Sequence, residues 1–273
     1  MATAAVLASA MRLPLYQVDA FTSRLFGGNP AAVVLLEEWL PDATMAAIAA
    51  ENNLAETAYV IPRADVSPLR WFTPTMEVDL CGHATLASAD VLFRYRFPEL
   101  HRLTFSTQQS GNLVVERRGE LLSMDFPARP PTPVAVTEAM VQAFGITPLE
   151  ALRSRDLLLV VGSEAEVRGV RPDMARVAAL DDTFAVIVSA PGEKVDFVSR
   201  FFAPRAGIDE DPVTGSAHCT LIPYWAARLG TSTLTAKQVS ARGGDLACEL
   251  RGDRVIIAGH AVEYLSGAIV VGD

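Results

Sequence analysis

The chain has 273 residues, half of them hydrophobic and a fifth charged, enough apolar surface to offset the entropy of ordering, which excludes a disordered protein and allows one large domain or two modest ones. Its formal net charge of −9 opposes a broad basic surface, so nucleic acid and anionic membranes are excluded as partners, while local arginines can still hold a small anion. Cys81, Cys219 and Cys248 are too few and too scattered for a disulfide framework or a cysteine-rich zinc site and fit a reducing, cytoplasmic setting.

No apolar run reaches the ~20 residues of a spanning helix. Residues 1–10, MATAAVLASA, lack the cationic start of a secretory signal and are expected to form a disordered leader. Residues 15–20 alternate, meet the turn cluster Gly27-Gly28-Asn29-Pro30, and give way to an apolar run at 31–36, which predicts strand, turn, strand. Residues 43–53 read as a helix, 54–61 and 69–73 as strands, the second stopping at Pro74. Residues 81–93 are rich in Ala and Leu with few charges, which predicts a helix buried on all sides. Strands at 103–106, 113–116 and 121–126 follow, and the proline-rich stretch 127–133 reads as a linker, since proline continues neither ladder nor helix. Beyond it lie a helix near 138–144 and strands at 157–161, 184–189 and around Arg200.

The two halves echo one another. Arg70-Trp71-Phe72-Thr73-Pro74 matches Arg200-Phe201-Phe202-Ala203-Pro204, and each leads through a carboxylate to Gly-polar-Ala, Gly82-His83-Ala84 and Gly215-Ser216-Ala217. The interval from proline to glycine is eight positions in the first copy and eleven in the second, an insertion of three. Two copies of strand, loop and glycine-initiated helix predict like-folded halves whose matching loops meet across a cleft, where ligands prefer to bind.

Each glycine would open a helix, presenting unpaired amides and a positive dipole end, so two such ends on one cleft would bind a small anionic substrate. Ordinary capping accounts for either glycine alone; the duplication favours a site. Period-2 alternation places Glu56 on one face with Leu54, Ala58 and Val60, where it is expected to be desolvated, an environment suited to a group that holds and releases a proton. The alternative is a strand-end glutamate reaching water. Asp211 stands close to the second helix start and His83 opens the first, where it can donate, accept or relay a proton. Cys81, beside a helix N-terminus, is a candidate base or a small buried hydrophobe. Its counterpart is Thr214, so a two-thiol pair is not encoded. No dinucleotide, Walker, nucleophile-elbow or zinc-protease motif is present, and the four histidines show no ligand spacing, which favours a reaction with no cofactor and no metal.

The ordered set Val18-Asp19-Ala20-Phe21, Phe26 to Val34, Asn53-Leu-Ala-Glu-Thr57, Arg70 to Pro74 with Leu80 to Thr85, and Asp211 to Ala217 resembles the PhzF-like phenazine biosynthesis family, from about Leu15 to the C-terminus. The resemblance implies the α+β, diaminopimelate epimerase-like fold: two pseudo-symmetric domains, each a curved sheet wrapped round a central helix. On that basis residues 11–127, joined by about 265–273, form the N-terminal domain and 128–264 the C-terminal one. It further implies a cytoplasmic, homodimeric isomerase that shifts a proton within a substrate like trans-2,3-dihydro-3-hydroxyanthranilate without a cofactor. Glu56 would be the acid/base, His83, Asp211 and Ser216 would orient substrate and assist, the Gly82 and Gly215 amides would hold its carboxylate, and Asn29 would join the binding set. Cys81 leaves open an amino-acid racemase or epimerase, and a non-catalytic metabolite-binding member is the third alternative.

Overall fold

Glycine makes the opening turn possible. In the computed structural model, which describes residues 10–272, β1 (Met11–Ala20) and β2 (Asn29–Leu35) pair antiparallel with Ala20 opposite Asn29. Gly28, in the connection, has φ +62°, the left-handed region glycine enters freely. The chain continues through α1 (Asp42–Asn52), β3 (Glu56–Val60), β4 (Ser67–Phe72), β5 (Glu77–Val78), α2 (Gly82–Tyr95), β6 (Arg102–Ser106), β7 (Asn112–Arg118) and β8 (Leu121–Pro127). The second half holds β9 (Thr132–Val134), α3 (Glu138–Phe144), β10 (Glu150–Arg153), β11 (Leu157–Val160), α4 (Glu164–Gly169), α5 (Met174–Ala178), β12 (Val186–Pro191), β13 (Phe197–Ala203), β14 (Ile208–Asp211), α6 (Gly215–Leu229), β15 (Thr233–Gln238), β16 (Gly244–Arg251), β17 (Arg254–Gly259) and β18 (Ala261–Val271). The expected leader lies outside the described residues except for Ala10.

The echo in the sequence is a duplication of the fold, strand by strand. β1-β2 and β10-β11 pair antiparallel, β2-β3 and β11-β12 parallel, β3-β4 and β12-β13 antiparallel, and β4-β6 and β13-β15 parallel. The runs β6-β7-β8 and β15-β16-β17 then close each sheet, and β8 pairs with β17 to join the halves. Each half also lends a strand to the other's edge. β9 follows the first half and pairs with β10, while β18 follows the second and pairs with β1 along its whole length, from Ala20↔Ala261 to Met11↔Val271. This corrects the reading of 127–133 as a plain linker: Thr132 and Pro133 lie in an edge strand, where proline's missing donor costs least.

The repeated arginines explain why the two copies share a local sequence. Arg70 grips Glu77 in a bidentate pair at 2.7 and 2.6 Å, and Arg200 grips Glu210 the same way at 2.7 Å for both bonds. Each guanidinium also lies over a ring of its own strand, Phe72 at 5.2 Å and Phe202 at 4.8 Å. Planar, fork-to-fork pairs of this kind fix orientation as well as charge. They lock the short strands β5 and β14 in place, with each glutamate five residues before its glycine, and the three-residue insertion falls between Pro204 and Glu210, where the chain makes the 3-10 turn Pro204–Ala206.

The helices α2 and α6 run through the centre of the two sheets and are buried nearly throughout, as the composition of residues 81–93 predicts. Trp225 of α6 stacks on Phe197 of β13, and its indole N–H donates to Ser189 at 3.0 Å. A continuous core joins both helices to Met124 and Phe126 of β8. Smaller clusters lie outside each sheet, one under α1 and one under α3, α4 and α5.

Replacing Gly28 tests the turn. An added Cβ would overlap the carbonyl oxygen of Ala20 and meet Thr22. Gly28→Ala is therefore expected to lose about 2 kcal/mol of stability or more, read by thermal or denaturant unfolding, and to lower activity by shifting Asn29.

Candidate active site

The duplication brings the N-termini of α2 and α6 together. A Cβ built on Gly82 would stand 3.9 Å from the Gly215 Cα, and one built on Gly215 the same distance from the Gly82 Cα. The residues before them, Cys81 and Thr214, are extended (φ −141°, ψ 110° and φ −115°, ψ 102°) and neither helix has a side-chain cap hydrogen bond. Both preceding carbonyls are instead tied down from within the helix: Thr85 Oγ1 donates to Cys81 O at 2.6 Å, and His218 Nδ1 reaches Thr214 O at 2.8 Å. The two positive helix ends thus face one cleft with amides free to receive an anion.

A cavity of about 600 Å³ opens there, lined by Glu56, Cys81, Gly82, His83, Asp211, Thr214, Gly215 and Ser216 among others. Glu56 begins β3, and its side chain is 13 % exposed. Ala58 and Val60 share the central core, but Leu54 precedes the strand and packs into the cluster under α1, so the alternation that places Glu56 inward starts at Glu56 itself. Glu56 Oε2 lies 3.0 Å from His83 Nε2, yet the contact is too poorly directed to count as a hydrogen bond, and both atoms are enclosed without another partner. The pair is close enough to exchange a proton and not locked. Burial opposes charge on His83, but its electrostatic and hydrogen-bonding contacts with Cys81 and Glu56 outweigh it and hold the imidazole pKa well above its ordinary value. Burial and, after it, the Glu56 charge push the Cys81 thiol upward, so it stays protonated, with its sulfur 3.5 Å from His83 Nδ1.

Asn29 organises the floor of this group. It is fully buried, does not line the cavity, and its Nδ2 lies 2.8 Å from Asp211 Oδ1, 2.9 Å from Val213 O and 3.1 Å from His83 Nδ1. Those contacts hold Asp211 and His83 from behind. Asp211 also accepts from Thr214 Oγ1. Desolvation raises the Asp211 pKa to about 6; His83 opposes the rise and Glu56 adds to it.

Sequence reasoning missed several participants. Gln238, fully buried on β15, accepts from Thr214 N at 2.9 Å and donates to Asp211 O at 2.7 Å, bracing the loop before α6. Arg242 donates to the carbonyls of Gly27 and Gly28 and pairs with buried Asp19 at 2.7 Å, so the second half fastens the turn that carries Asn29. His218 was legible in the echo, being the residue that matches Thr85, whereas Gln238 and Arg242 have no motif to announce them. Glu56, Cys81 and His83 present donor atoms within 4.8 Å of one another, a spacing a cation could bridge. Binding one would have to displace the proton that burial keeps on the Cys81 thiol and the proton that the raised pKa of His83 favours.

Two paired halves with facing helix starts define an α+β, epimerase-like fold: a hydroxyproline epimerase from Agrobacterium vitis shares it with a TM-score of 0.62 at 11 % identity, covering 97 % of this chain and 94 % of that one. The chain belongs to the phenazine biosynthesis-like protein family, whose family model, PhzC-PhzF, matches residues 18–267. A PhzF-family protein from Enterococcus faecalis is 49 % identical with a TM-score of 0.93, covering 95 % of this chain and 99 % of that structure. A Pseudomonas aeruginosa protein named as an uncharacterized isomerase is 55 % identical over 260 residues, 95 % of this chain and 99 % of its own. The protein is an isomerase of this family. Among the described residues no helix is long and apolar enough to cross a membrane.

Asp211 gives a test with a worked sign. Its folded pKa of about 6 lies above the ordinary aspartate value of 3.8, so the folded state holds the proton more tightly and ionised Asp211 opposes folding, fully so above pH ~6. Asp211→Asn is therefore expected to raise thermal stability relative to the parent more at pH 7.5 than at pH 4, roughly the outer bounds of that titration. It should lose activity, and the parent's kcat/KM should fall as pH drops through about 6 while the variant's acid limb flattens. Unfolding curves and pH–rate profiles of both proteins check this.

Proposed function

We propose that the protein shifts a proton between two carbons of a small carboxylate-bearing, cyclic substrate similar to trans-2,3-dihydro-3-hydroxyanthranilate, with Glu56 as the group that moves it. The observation that carries the reading is the enclosed Glu56 carboxylate, 3.0 Å from His83 and without a well-directed bond, beside two uncapped helix starts in near contact. The substrate carboxylate accepts from the amides at Gly82 and Gly215, with Ser216 beside them on the cavity wall. Glu56 takes a proton from a ring carbon. The electron pair of that C–H bond moves into the adjacent unsaturated system, and the same proton is delivered to a second carbon of it, so the formula is unchanged and no cofactor is consumed. His83 stabilises the ionised Glu56 before abstraction, and Asp211 accepts from a substrate amine or hydroxyl. The walled cleft keeps water from quenching the intermediate.

Cys81 supports a second reading, an epimerase with bases on two faces of one carbon, because its sulfur lies 3.5 Å from His83 Nδ1 in the same cleft. Two features favour the single-base reading: burial keeps the thiol protonated, and the matching position in the other half is Thr214.

Glu56→Gln keeps the shape of the site and removes the base, so kcat is expected to fall by ~10³-fold with substrate binding retained. Turnover in heavy water separates the two readings. A moved double bond with little solvent deuterium supports a shift by one enclosed carboxylate, whereas deuterium at a stereocentre with loss of optical purity supports epimerisation. Cys81→Ala should cost less than ~10-fold in kcat under the first reading. Under the second it should abolish wash-in from one face.

A further inference from the structure

The cavity has a second positive pole that the proton shift does not use. Arg129 and Arg155 both line it. Arg129 follows β8, and its backbone N–H donates to Cys219 O at 2.8 Å. This fixes it about one turn along α6 from Gly215, roughly 6 Å at 1.5 Å per residue. Ser154 Oγ meets Thr220 Oγ1 at 2.8 Å and brings the next residue, Arg155, to the same turn.

Neither guanidinium is spent on the protein. Arg129 Nη1 is buried with no hydrogen-bond partner, a costly state for a charged donor unless something else supplies the acceptor. Arg155 is held over the ring of Phe184 at 5.2 Å, and among the described residues neither arginine forms an ion pair. The third arginine on the wall, Arg205, is by contrast committed to the carbonyls of Ala178 and Leu180. The nearby acids do not discharge the pair. Glu77 is taken by Arg70, and Asp156 is buried and pushed by desolvation toward its neutral form, although both arginines work against that rise.

We infer that Arg129 and Arg155 form a second anion subsite, so that the substrate is a small dianion, one carboxylate at the Gly82–Gly215 contact and a second oxyanion, carboxylate or phosphate-like, against the guanidinium pair. The inference rests on the reading of this cavity as the substrate site and narrows it: dihydrohydroxyanthranilate itself carries one carboxylate, so the substrate shares its carboxylate and its proton shift but bears a second oxyanion. It adds a specificity element to that reading: a monoanion would leave the buried Arg129 donor unpaired, and unmet polar groups discriminate strongly against ligands that lack the partner. The guanidinium fork suits either oxyanion.

Calorimetric binding of butyrate, glutarate and 3-phosphonopropionate to the intact protein tests it. Glutarate or the phosphonate should bind at least ~10-fold tighter than butyrate, and whichever is tighter identifies the second group. Arg155→Gln, an exposed position safe for folding, and Arg129→Gln should each bring the preference below ~3-fold, with butyrate affinity nearly unchanged. Equal binding of all three ligands by the parent, or a preference that survives Arg155→Gln, overturns the subsite. Glu56→Gln separates this from the proposed activity, because it should keep the dianion preference. A preference without turnover on any substrate would overturn the isomerisation while leaving the subsite standing, and turnover without a preference would do the reverse.

Discussion

The near contact of Gly82 and Gly215 is the constraint on which the molecule's chemistry depends. Two helix N-termini, each equivalent to about half a positive charge, meet head to head. Such ends repel, and the arrangement persists because it is clamped from both sides and surrounded by negative charge. The clamp is the Arg70–Glu77 and Arg200–Glu210 pairs, which hold the approach to each glycine. The charge is Glu56 and Asp211, joined by the carboxylate of a bound substrate. A site so arranged attracts anions through its scaffold, which frees its side chains to move protons.

Duplication supplied the scaffold and divergence supplied the chemistry. Aligned on their glycines, the halves share Glu77 with Glu210 and Ala84 with Ala217 but differ at several positions that face the cleft. Cys81 stands opposite Thr214, His83 opposite Ser216, and Val78 opposite Asp211. The first half thus carries the titratable Cys81 and His83 together with Glu56, and the second carries hydroxyls and the Asp211 carboxylate, which Asn29 bonds directly while Gln238 braces the Asp211 backbone carbonyl. Such asymmetry suits a carboxylate that both removes and returns a proton. A reaction needing matched bases on two faces would favour like residues at the paired positions, and Cys81 has no such twin.

The fold was legible because its signals are local and repeated. Residues 138–144 form α3 over those bounds, 81–93 fall within one residue of the start of α2, and most first-half strands lie within two residues of their expected limits. Part of the candidate site was legible for the same reason, since Gly82, His83, Gly215 and Ser216 belong to the echo, whereas Glu56 and Asp211 have no matching carboxylate in the other half. What stayed hidden depends on contacts distant in sequence. β9 and β18 are defined by the strands they join, β10 and β1, so neither the short run 132–134 nor the four residues from Ala261 that precede the expected final strand show a pattern of their own. Asn29 is conspicuous in its turn, but its role emerges only when Asp211 and Val213, more than 180 residues away, close over it. Arg129 and Arg155 sit in stretches whose composition reads as loop.

The unsatisfied polar atoms show where stability has been given up. Of the eight such atoms among the described residues, Glu56 Oε2, His83 Nε2 and Arg129 Nη1 belong to residues that line this one cleft, Asn29 Oδ1 lies behind it, and Trp71, Asp156, Ser199 and His218 supply the rest. Scattered at random, such atoms would be defects costing about 1–3 kcal/mol each. The three at the cavity wall form a template of donors and acceptors whose partners arrive with the ligand. Asp211 fits the same pattern, since its raised pKa means that the ionised form needed to accept from substrate is the form the fold disfavours. Binding then satisfies what folding left open, and the free energy released is available to hold a reactive, water-sensitive arrangement together.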